Sequence, residues 1–391
     1  MTETESKGKG TTRRDFLKIA AAIAGAAGFA AGYGLRDGTG HPPWSPELIT
    51  TVTQTTTEPL NCSASLRAIA QERGFQIGSA VDALCLDSQH YGNAQIYANT
   101  LAREFNYVTP EYQMQWREVH PGLNDWNFAL VDDIADFATD HQMKLKGHTL
   151  IWGYGSAIPL YLTSTTPNDE FRQIVENHVK TLVGRYKGKI HAWNVVNEAV
   201  DHNSSELRKT LFLEKMGDGY IAEAFHMARE ADSDAVLLYN DYGAEGSGKK
   251  SDGVYRLVKK LVSDGVPIDG VGLQMHVGMD PTGYPEPEEI ARNIRRLVAL
   301  GLRVEISEMD VQIRNLPGSF QERLETQRKI YHDIIAACFK EKGFRDVTFW
   351  GFSDADSWID TFFGSDDPLL FDDKFQPKPA YWGVMQALLD Q

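Results

Sequence analysis

The 391-residue sequence has few cysteines, no excess of positive charge and no recognisable metal motif. Its three cysteines, Cys62, Cys85 and Cys338, are too few for a small domain built on disulfides. No Cys-x-x-Cys pair or clustered histidine pair indicates a metal site. Basic residues number 39 against 54 acidic ones, a net charge of −15, which argues against the basic surface of a nucleic-acid binder. Hydrophobic residues at 42% and charged residues at 24% are ordinary for a globular protein, so extended disorder is excluded as well.

The first 36 residues differ in composition from the rest of the chain. Paired Arg13 and Arg14 precede a weakly apolar run over residues 19–31. A charged start followed by a short apolar run predicts an export signal, and the paired arginines resemble a twin-arginine signal. We expect this segment, residues 1–36, either to be cleaved near Ala30 or Ala31 or to stay as a membrane anchor. An amphipathic amino-terminal helix is the alternative.

Residues 37–60 are rich in threonine and proline. Such a composition cannot bury a core, and it predicts a linker between the signal and one folded domain over residues 61–391. Export would permit one disulfide, although an odd number of cysteines leaves at least one thiol unless it pairs outside the chain. Buried free thiols are the alternative.

From residue 75 onward, short β-rich runs alternate with longer stretches of helical periodicity. Helical spacing is clear over residues 169–186 and 321–340, and a last helix follows Pro379. The predicted strands cover residues 75–81, 105–111, 144–150, 191–198, 235–241, 270–276, 303–311 and 346–352. Alternating strands and helices imply parallel strands joined by crossovers, and eight units predict an α/β fold, the (β/α)8 or TIM barrel. An open doubly wound sheet is the alternative, but no glycine-rich phosphate loop follows the first strand.

Polar side chains gather where the predicted strands end. They are Glu111, His148, Asn197, Glu198, Asn240, Asp241, Gln274, His276, Glu308, Asp310 and, as an aromatic, Trp350. Because the strands of such a barrel place an active site at their carboxyl ends, these residues predict one. Glu198 and Glu308 form the carboxylate pair that glycoside hydrolysis requires, one protonated and one ionised. A buried structural pair bridged to a basic residue is the alternative, but few basic residues lie at these strand ends.

Eight segments carry a family resemblance. In chain order they are 147–152 (GHTLIW), 193–199 (WNVVNEA), 239–242 (YNDY), 270–276 (GVGLQMH), 305–310 (EISEMD), 348–352 (TFWGF), 368–372 (PLLFD) and 377–382 (PKPAYW). Over about residues 65–391 the chain resembles glycoside hydrolase family 10, the endo-β-1,4-xylanases. An Asn-Glu pair ending the fourth strand is weak evidence alone, but all the segments in this order are specific.

The resemblance implies a role for each matching residue. Glu198 would be the general acid/base and Glu308 the nucleophile of a retaining reaction. Asn197 would hold the 2-hydroxyl of the attacked sugar, and His276, fixed by Asp310, would orient Glu308. The further substrate-binding residues would be His148, Trp152, Gln274, Trp350, Trp358, Glu111, Tyr112, Gln115 and Tyr242. No metal or cofactor is implied. The expected partner is a β-1,4-linked polysaccharide or oligosaccharide bound by a monomer, with a membrane tether if the signal is kept.

The sequence departs from the family on the side that binds the glycone sugars. The family's Asn and Lys after the second strand are replaced by Tyr112 and Gln115, and its His-Ser-Gln is replaced by residues 153–155 (GYG). Glycine in place of glutamine at Gly155 removes bulk where the hydroxymethyl group of glucose would sit. An endo-β-1,4-glucanase acting on cellulose or mixed-linkage glucan, alone or together with xylan, is therefore the alternative to a xylanase. A catalytically inactive sugar-binding barrel is a third hypothesis, opposed by the intact carboxylates.

Overall fold

The computed structural model describes residues 65–279 and 284–390, within which nine strands form a single parallel sheet. The strands are β1 (Gln76–Val81), β2 (Tyr107–Pro110), β3 (Lys144–Trp152), β4 (Ile190–Asn197), β5 (Val236–Asp241), β6 (Gly270–Leu273), β7 (His276–Val277), β8 (Arg303–Val311) and β9 (Phe344–Phe349). Neighbours run from β6 through β5, β4, β3, β2 and β1 to β9 and β8, and β6 also pairs with β8. That last pairing closes eight strands into a barrel, with the short β7 beside β8. The predicted (β/α)8 barrel is confirmed.

Helices follow the strands as the periodicity predicts. They are α1 (Leu66–Arg73), α2 (Ala94–Glu104), α3 (Trp116–Val119), α4 (Ala129–Asp140), α5 (Asn168–Arg185), α6 (Leu211–Met216), α7 (Tyr220–Ala231), α8 (Lys249–Ser263), α9 (Pro287–Val298), α10 (Phe320–Phe339), α11 (Trp358–Phe363) and α12 (Pro379–Leu389). Helix α10 begins with a capping box, in which Ser319 accepts from the amide of Glu322 and the Glu322 carboxylate accepts from the amide of Ser319. Each satisfies an amide that the first turn leaves without a helical partner.

The predicted strand over residues 270–276 is interrupted in the structure. Strand β6 ends at Leu273, and the chain resumes extended pairing only at His276. Between them Met275 adopts a left-handed backbone with φ of 67°, and its amide donates to the buried Glu245 Oε1 at 3.0 Å. The kink turns the chain so that His276 pairs in register with Asp310 of β8.

The barrel interior combines apolar packing with one buried ion pair. Lys146 Nζ donates to Glu305 Oε1 at 2.7 Å, and both side chains are almost fully excluded from solvent. Such a pair is tolerated because each charge neutralises the other. Trp193 is fully buried against β3, where a Cβ on Gly147 would lie 2.1 Å from its ring. Glycine at that position lets β3 approach β4 and sets the position of the next residue, His148.

The chain joins the barrel at the face where strands begin. The Ser65 hydroxyl caps α1, and the Leu66 amide donates to Glu104 Oε2 at 3.2 Å, at the carboxyl end of α2 just before β2 starts. At the other end of the described chain, Arg73 Nη2 donates to the carbonyl of Leu389 in α12. The two ends of the domain are therefore neighbours on that face.

Cys85 and Cys338 are buried as free thiols, which agrees with the alternative to a disulfide for these two cysteines. Cys62, the predicted signal and the predicted linker lie outside the described residues. In the described ranges 65–279 and 284–390, no helix combines the length and the apolar character needed to cross a membrane.

Candidate active site

Glu198 and Glu308 lie together at the carboxyl ends of the strands. Glu198 is the residue that follows β4, and Glu308 lies within β8. Both side chains are largely buried, with 12% and 5% of their surfaces exposed. Glu198 has a left-handed backbone with φ of 56°, held by its amide donating to the Asn240 carbonyl at 2.9 Å. Non-glycine residues rarely adopt this conformation, and such strain concentrates at functional sites.

Two asparagine amides connect the carboxylates. The Nδ2 of Asn240 lies 2.7 Å from both Asn197 Oδ1 and Glu308 Oε1. Asn197 Nδ2 in turn donates to Glu198 Oε1 at 3.3 Å. The connection fixes both carboxyl groups relative to each other before any substrate binds.

Asn240 is itself fixed by its neighbours. The Ser307 hydroxyl donates to Asn240 Oδ1 at 2.6 Å. A Cβ on Gly272 would lie 2.3 Å from the same oxygen, so glycine on β6 is what leaves room for this amide. Packing thereby determines which way the amide points.

His276 links Glu308 to Asp310. Its Nδ1 lies 2.8 Å from Asp310 Oδ2, and its Nε2 lies 3.3 Å from Glu308 Oε2. Burial opposes the charge on this ring, but the two carboxylates outweigh burial and raise the pKa of His276 to about 10. The ring is therefore an imidazolium that donates at both nitrogens at neutral pH. Trp358 Nε1 donates to the same Asp310 oxygen at 2.8 Å.

The two carboxyl groups are shifted in opposite directions. Burial raises the pKa of Glu198; Arg208 and Lys250 oppose this, and Asp241 adds to it. Burial would also raise the pKa of Glu308, but His148 in its protonated form, His276 and the Asn240 amide lower it below its ordinary value. One carboxyl group is thus favoured as a proton donor and the other as an anion, which is the division of roles that an acid and a nucleophile require.

His148 and two tryptophans line the same region. Burial lowers the pKa of His148 to about 4, so its ring is neutral, and it lies 2.9 Å from Asn194 Nδ2. Trp350 contacts the His148 ring edge to face at 5.0 Å. Trp152 pairs in register with Asn197. Together these residues place aromatic rings beside His148 and Asn197.

The residues predicted on the glycone side lie after β2 and β3. The Tyr112 hydroxyl donates to Asp82 Oδ1 at 3.3 Å, and the side chain of Gln115, at the start of α3, makes no capping bond. Tyr154 stacks on Trp152 with ring centroids 5.2 Å apart. A Cβ on Gly155 would meet nothing within 4 Å, so space is open there. The amide of Glu111, the remaining residue of this group, donates to the carbonyl of Val81.

The surroundings of Glu198 contain residues that the sequence analysis did not select. Arg208 Nη2 donates to the Tyr242 hydroxyl at 3.1 Å and lies 3.9 Å from Glu198 Oε2. Lys250 Nζ lies 3.2 Å from the centroid of the Tyr242 ring and 2.9 Å from Asp241 Oδ1. Gln274, which was predicted, donates to Glu198 Oε1 at 3.2 Å.

Asn240 and Arg208 differ in how far the sequence could have identified them. Asn240 ends a predicted strand, so the strand-end rule located it without giving it a role. Arg208 lies in a polar connection where the sequence offers no comparable signal. Among the residues that the structure describes, no group of three or more His, Cys, Asp or Glu side chains is placed to hold a metal ion.

Comparison with known proteins places this geometry in a family. The family model described as Glycosyl hydrolase family 10 matches residues 65–387. Endo-1,4-beta-xylanase B of Thermotoga neapolitana is 37% identical over 327 residues, covering 83% of this chain and 91% of that protein. Beta-1,4-xylanase of Dictyoglomus thermophilum is 39% identical over 326 residues, covering 80% and 88%.

Solved structures agree with the sequence relatives. Native xylanase 10B from Thermotoga maritima superposes with a TM-score of 0.77 at 36% identity, covering 84% of this chain and 98% of that one. Xylanase 10B from Thermotoga petrophila, solved in complex with xylobiose, gives a TM-score of 0.78 at 35% identity, covering 85% and 99%.

Proposed function

The chain belongs to glycosyl hydrolase family 10, and from this membership we propose that it is a retaining endo-β-1,4-xylanase. The observation that carries the proposal is the pair of carboxyl groups, Glu198 and Glu308, which are held by two asparagine amides bonded to each other and whose pKa values are shifted in opposite directions. The polymer is proposed from the relatives, because both sequence relatives described above are named xylanases.

The first step forms a covalent intermediate. The Glu308 carboxylate attacks the anomeric carbon as Glu198 transfers its proton to the glycosidic oxygen, and the carbon–oxygen bond to the departing sugar breaks. His276 holds the attacking carboxylate at Oε2 while Asn240 holds Oε1. Asn197 would bond the 2-hydroxyl of the attacked sugar.

The second step releases the sugar with its configuration retained. Glu198, now a carboxylate, accepts a proton from water while the water oxygen attacks the anomeric carbon, and the bond to Glu308 breaks. The aromatic walls of Trp152, Trp350 and Trp358 keep the ring in place through both steps.

A preference for glucan has less support than a preference for xylan. The open space at Gly155 is compatible with a hydroxymethyl group, but both sequence relatives described above are named xylanases. Rates on xylan, carboxymethylcellulose and barley glucan test the choice directly. Fast hydrolysis of either glucan with slow hydrolysis of xylan would contradict the xylanase proposal.

The chemistry is tested by removing each carboxyl group. Glu198→Gln should lower the rate on xylan by a factor of about 10²–10⁴, because general acid catalysis is lost, and Glu308→Gln should abolish it. Glu206→Gln, an exposed residue of the following connection, is the matched control and should leave the rate unchanged. Proton NMR of the first products should show the β-anomer; an initial α-anomer, or full activity in both variants, would exclude the mechanism.

For the amino terminus we propose a twin-arginine-type signal over residues 1–36 and a linker over 37–60, with export out of the cytoplasm and a membrane tether if cleavage does not occur. The support is the paired Arg13 and Arg14 before the apolar run. Replacing both arginines with lysine should leave the enzyme in the cytoplasmic fraction.

We also propose that the enzyme is a monomer. Light scattering of the purified protein should then give the mass of one chain.

A further inference from the structure

A short hairpin returns the chain to Glu198 immediately after leaving it. Val200 and Leu207 form an antiparallel bridge, and the amide of Arg208 donates to the carbonyl of Ala199 at 2.7 Å. Arg208, ten residues after Glu198 in the chain, is thereby held next to Ala199, the residue that follows Glu198. The hairpin fixes the Arg208 backbone against the acid/base residue.

The side chain of Arg208 is directed at one oxygen of Glu198. Oε1 of Glu198 already accepts from Asn197 and Gln274, which leaves Oε2 as the oxygen that carries the transferable proton. Arg208 Nη2 lies 3.9 Å from Oε2 and donates to the Tyr242 hydroxyl. The buried Nε of Arg208 has no hydrogen-bond partner among the residues that the structure describes, so the Tyr242 hydroxyl rather than a second carboxylate holds the group there.

Resting on the proposed function, we propose that Arg208 is a positioning residue whose guanidinium, held by Tyr242, stabilises the Glu198 carboxylate that forms when its proton leaves. The distance is too long for a hydrogen bond but short enough for a strong charge interaction in a largely buried setting. The protonated acid is neutral and gains little from Arg208, whereas the carboxylate gains much more. The interaction therefore acts when charge develops.

The proton balance shows when this matters. In the first step the Oε2–H bond of Glu198 breaks, the proton passes to the glycosidic oxygen, and a carboxylate remains beside Arg208. Throughout the life of the glycosyl-enzyme, Glu198 stays ionised and is available as a base. In the second step the proton of water returns to Oε2 and cancels the charge. Arg208 favours the state between the two steps.

Other charged groups around Glu198 do not replace this contribution. Asp241 raises the pKa of Glu198 and Lys250 lowers it, but these two form an ion pair at 2.9 Å and offset each other. From β8, the Glu308 carboxylate faces the same cleft, and His276 beside it carries the opposite charge. From the loop after β3, the pKa of Tyr154 is raised, so its hydroxyl stays neutral. Arg208 is thus a cation next to Glu198 that is not neutralised by another carboxylate. Among the described residues, Glu198 is the carboxylate that lies within 4 Å of it.

The test is the pH dependence of the full-chain enzyme with Arg208 replaced by methionine. The basic limb of kcat/KM, which reports Glu198 in the free enzyme, should move to higher pH by about one unit, because a neighbouring arginine lowers a carboxyl pKa by about 1–3. With an aryl xylobioside whose leaving group needs no acid, the acid limb of kcat reports the same residue in the intermediate. In the Arg208→Met variant this acid limb should also move to higher pH.

Three further variants separate this role from a structural one. Arg208→Lys keeps the charge and should leave both limbs near their wild-type positions. Tyr242→Phe releases the guanidinium and should give a smaller shift, so the proposal stays testable if Arg208→Met does not fold. Arg256→Met removes an arginine that bonds the Ser205 carbonyl of the same hairpin and should shift neither limb.

The proposal would be overturned if the pH limbs of Arg208→Met stayed at their wild-type positions while its rates fell at every pH. Equal shifts of the limbs in Arg208→Met and Arg208→Lys would overturn it as well. Failure of the proposed function would be seen separately, as a wild-type enzyme inactive on xylan.

Discussion

Glu198 and Glu308 have the same side chain, and their neighbours give them different chemistry. Around Glu198 the direct hydrogen-bond donors are neutral amides and the Arg208 guanidinium is 3.9 Å away, so burial raises the pKa of Glu198. Around Glu308 a charged imidazole lies in direct contact, and the pKa falls. The opposite pKa shifts of the two proposed catalytic groups therefore follow from the difference between neutral and charged donors.

The imidazolium of His276 should make stability depend on pH in one direction. Its pKa is about 10 in the folded protein and about 6.5 in an unfolded chain. Because the folded state holds the proton more tightly, its contribution is complete below pH 6.5 and is lost as the pH rises through 10. The Tm difference between wild type and His276→Gln should therefore have its full size just below pH 6.5 and narrow as the pH rises toward 10. His226→Gln, an exposed histidine of α7, is the control and should follow the wild-type curve; a gap that stays constant would contradict the assignment.

The glycone side offers a second prediction at the residue scale. Gln115 stands where the family has a lysine, and its side chain makes no capping bond in the structure. Gln115→Lys should lower KM for xylotetraose about tenfold, since a charged hydrogen bond contributes about 1.5–3 kcal/mol. Because this binding is shared by substrate and transition state, kcat should not change. Gln115→Met, of similar length and without charge, should leave KM no lower than wild type, and an equal gain in both variants would refute the charge as the cause.

Among the elements, the hairpin after Glu198 depends on a glycine in α8. A Cβ on Gly253 would lie 2.8 Å from the Ser205 carbonyl oxygen and 2.9 Å from Val200 Cγ1, so Gly253→Ala must displace the hairpin. Activity should fall several-fold even though alanine favours the helix by about 1 kcal/mol. Gly184 is the matched control: it lies in α5 with nothing within 4 Å of its Cβ position. Gly184→Ala should raise stability by up to about 1 kcal/mol with activity unchanged, and equal activity in the two variants would show that the hairpin position is unimportant.

Sequence patterns predicted the long elements better than the kinks. Apolar spacing over residues 321–340 matches α10 within one residue at each end, because a helix that buries one face must repeat every 3.6 residues. The break at Met275 carried no such pattern, since it depends on a buried Glu245 from the loop after β5. The position of Arg208 was hidden for the same reason. It is set by hairpin contacts between residues 199 and 208, and a polar connection leaves no periodic trace.

At the scale of the whole molecule, the predicted linker gives a sharp boundary to test. A chain of residues 61–391 retains the Ser65 cap and the fully buried Leu66 of α1. It should match the full chain in Tm and in kcat/KM. A chain beginning at residue 67 loses the cap, worth about 1 kcal/mol, and a buried leucine, worth about 1.5–3 kcal/mol. At roughly 2–4 °C per kcal/mol for a domain of this size, its Tm should fall by about 5 °C or more. A lower Tm in the 61–391 chain would show that the domain extends further toward the amino terminus.

The contact between Leu66 and Glu104 also determines how the enzyme would be presented on a surface. It places the first described residues at the face where strands begin, and the carboxylates lie at the face where strands end. Anything attached ahead of residue 65, whether a support, a fusion partner or a cell envelope, is joined to the back of the barrel. An immobilised enzyme would therefore turn its cleft outward, toward long polymer chains arriving from solution.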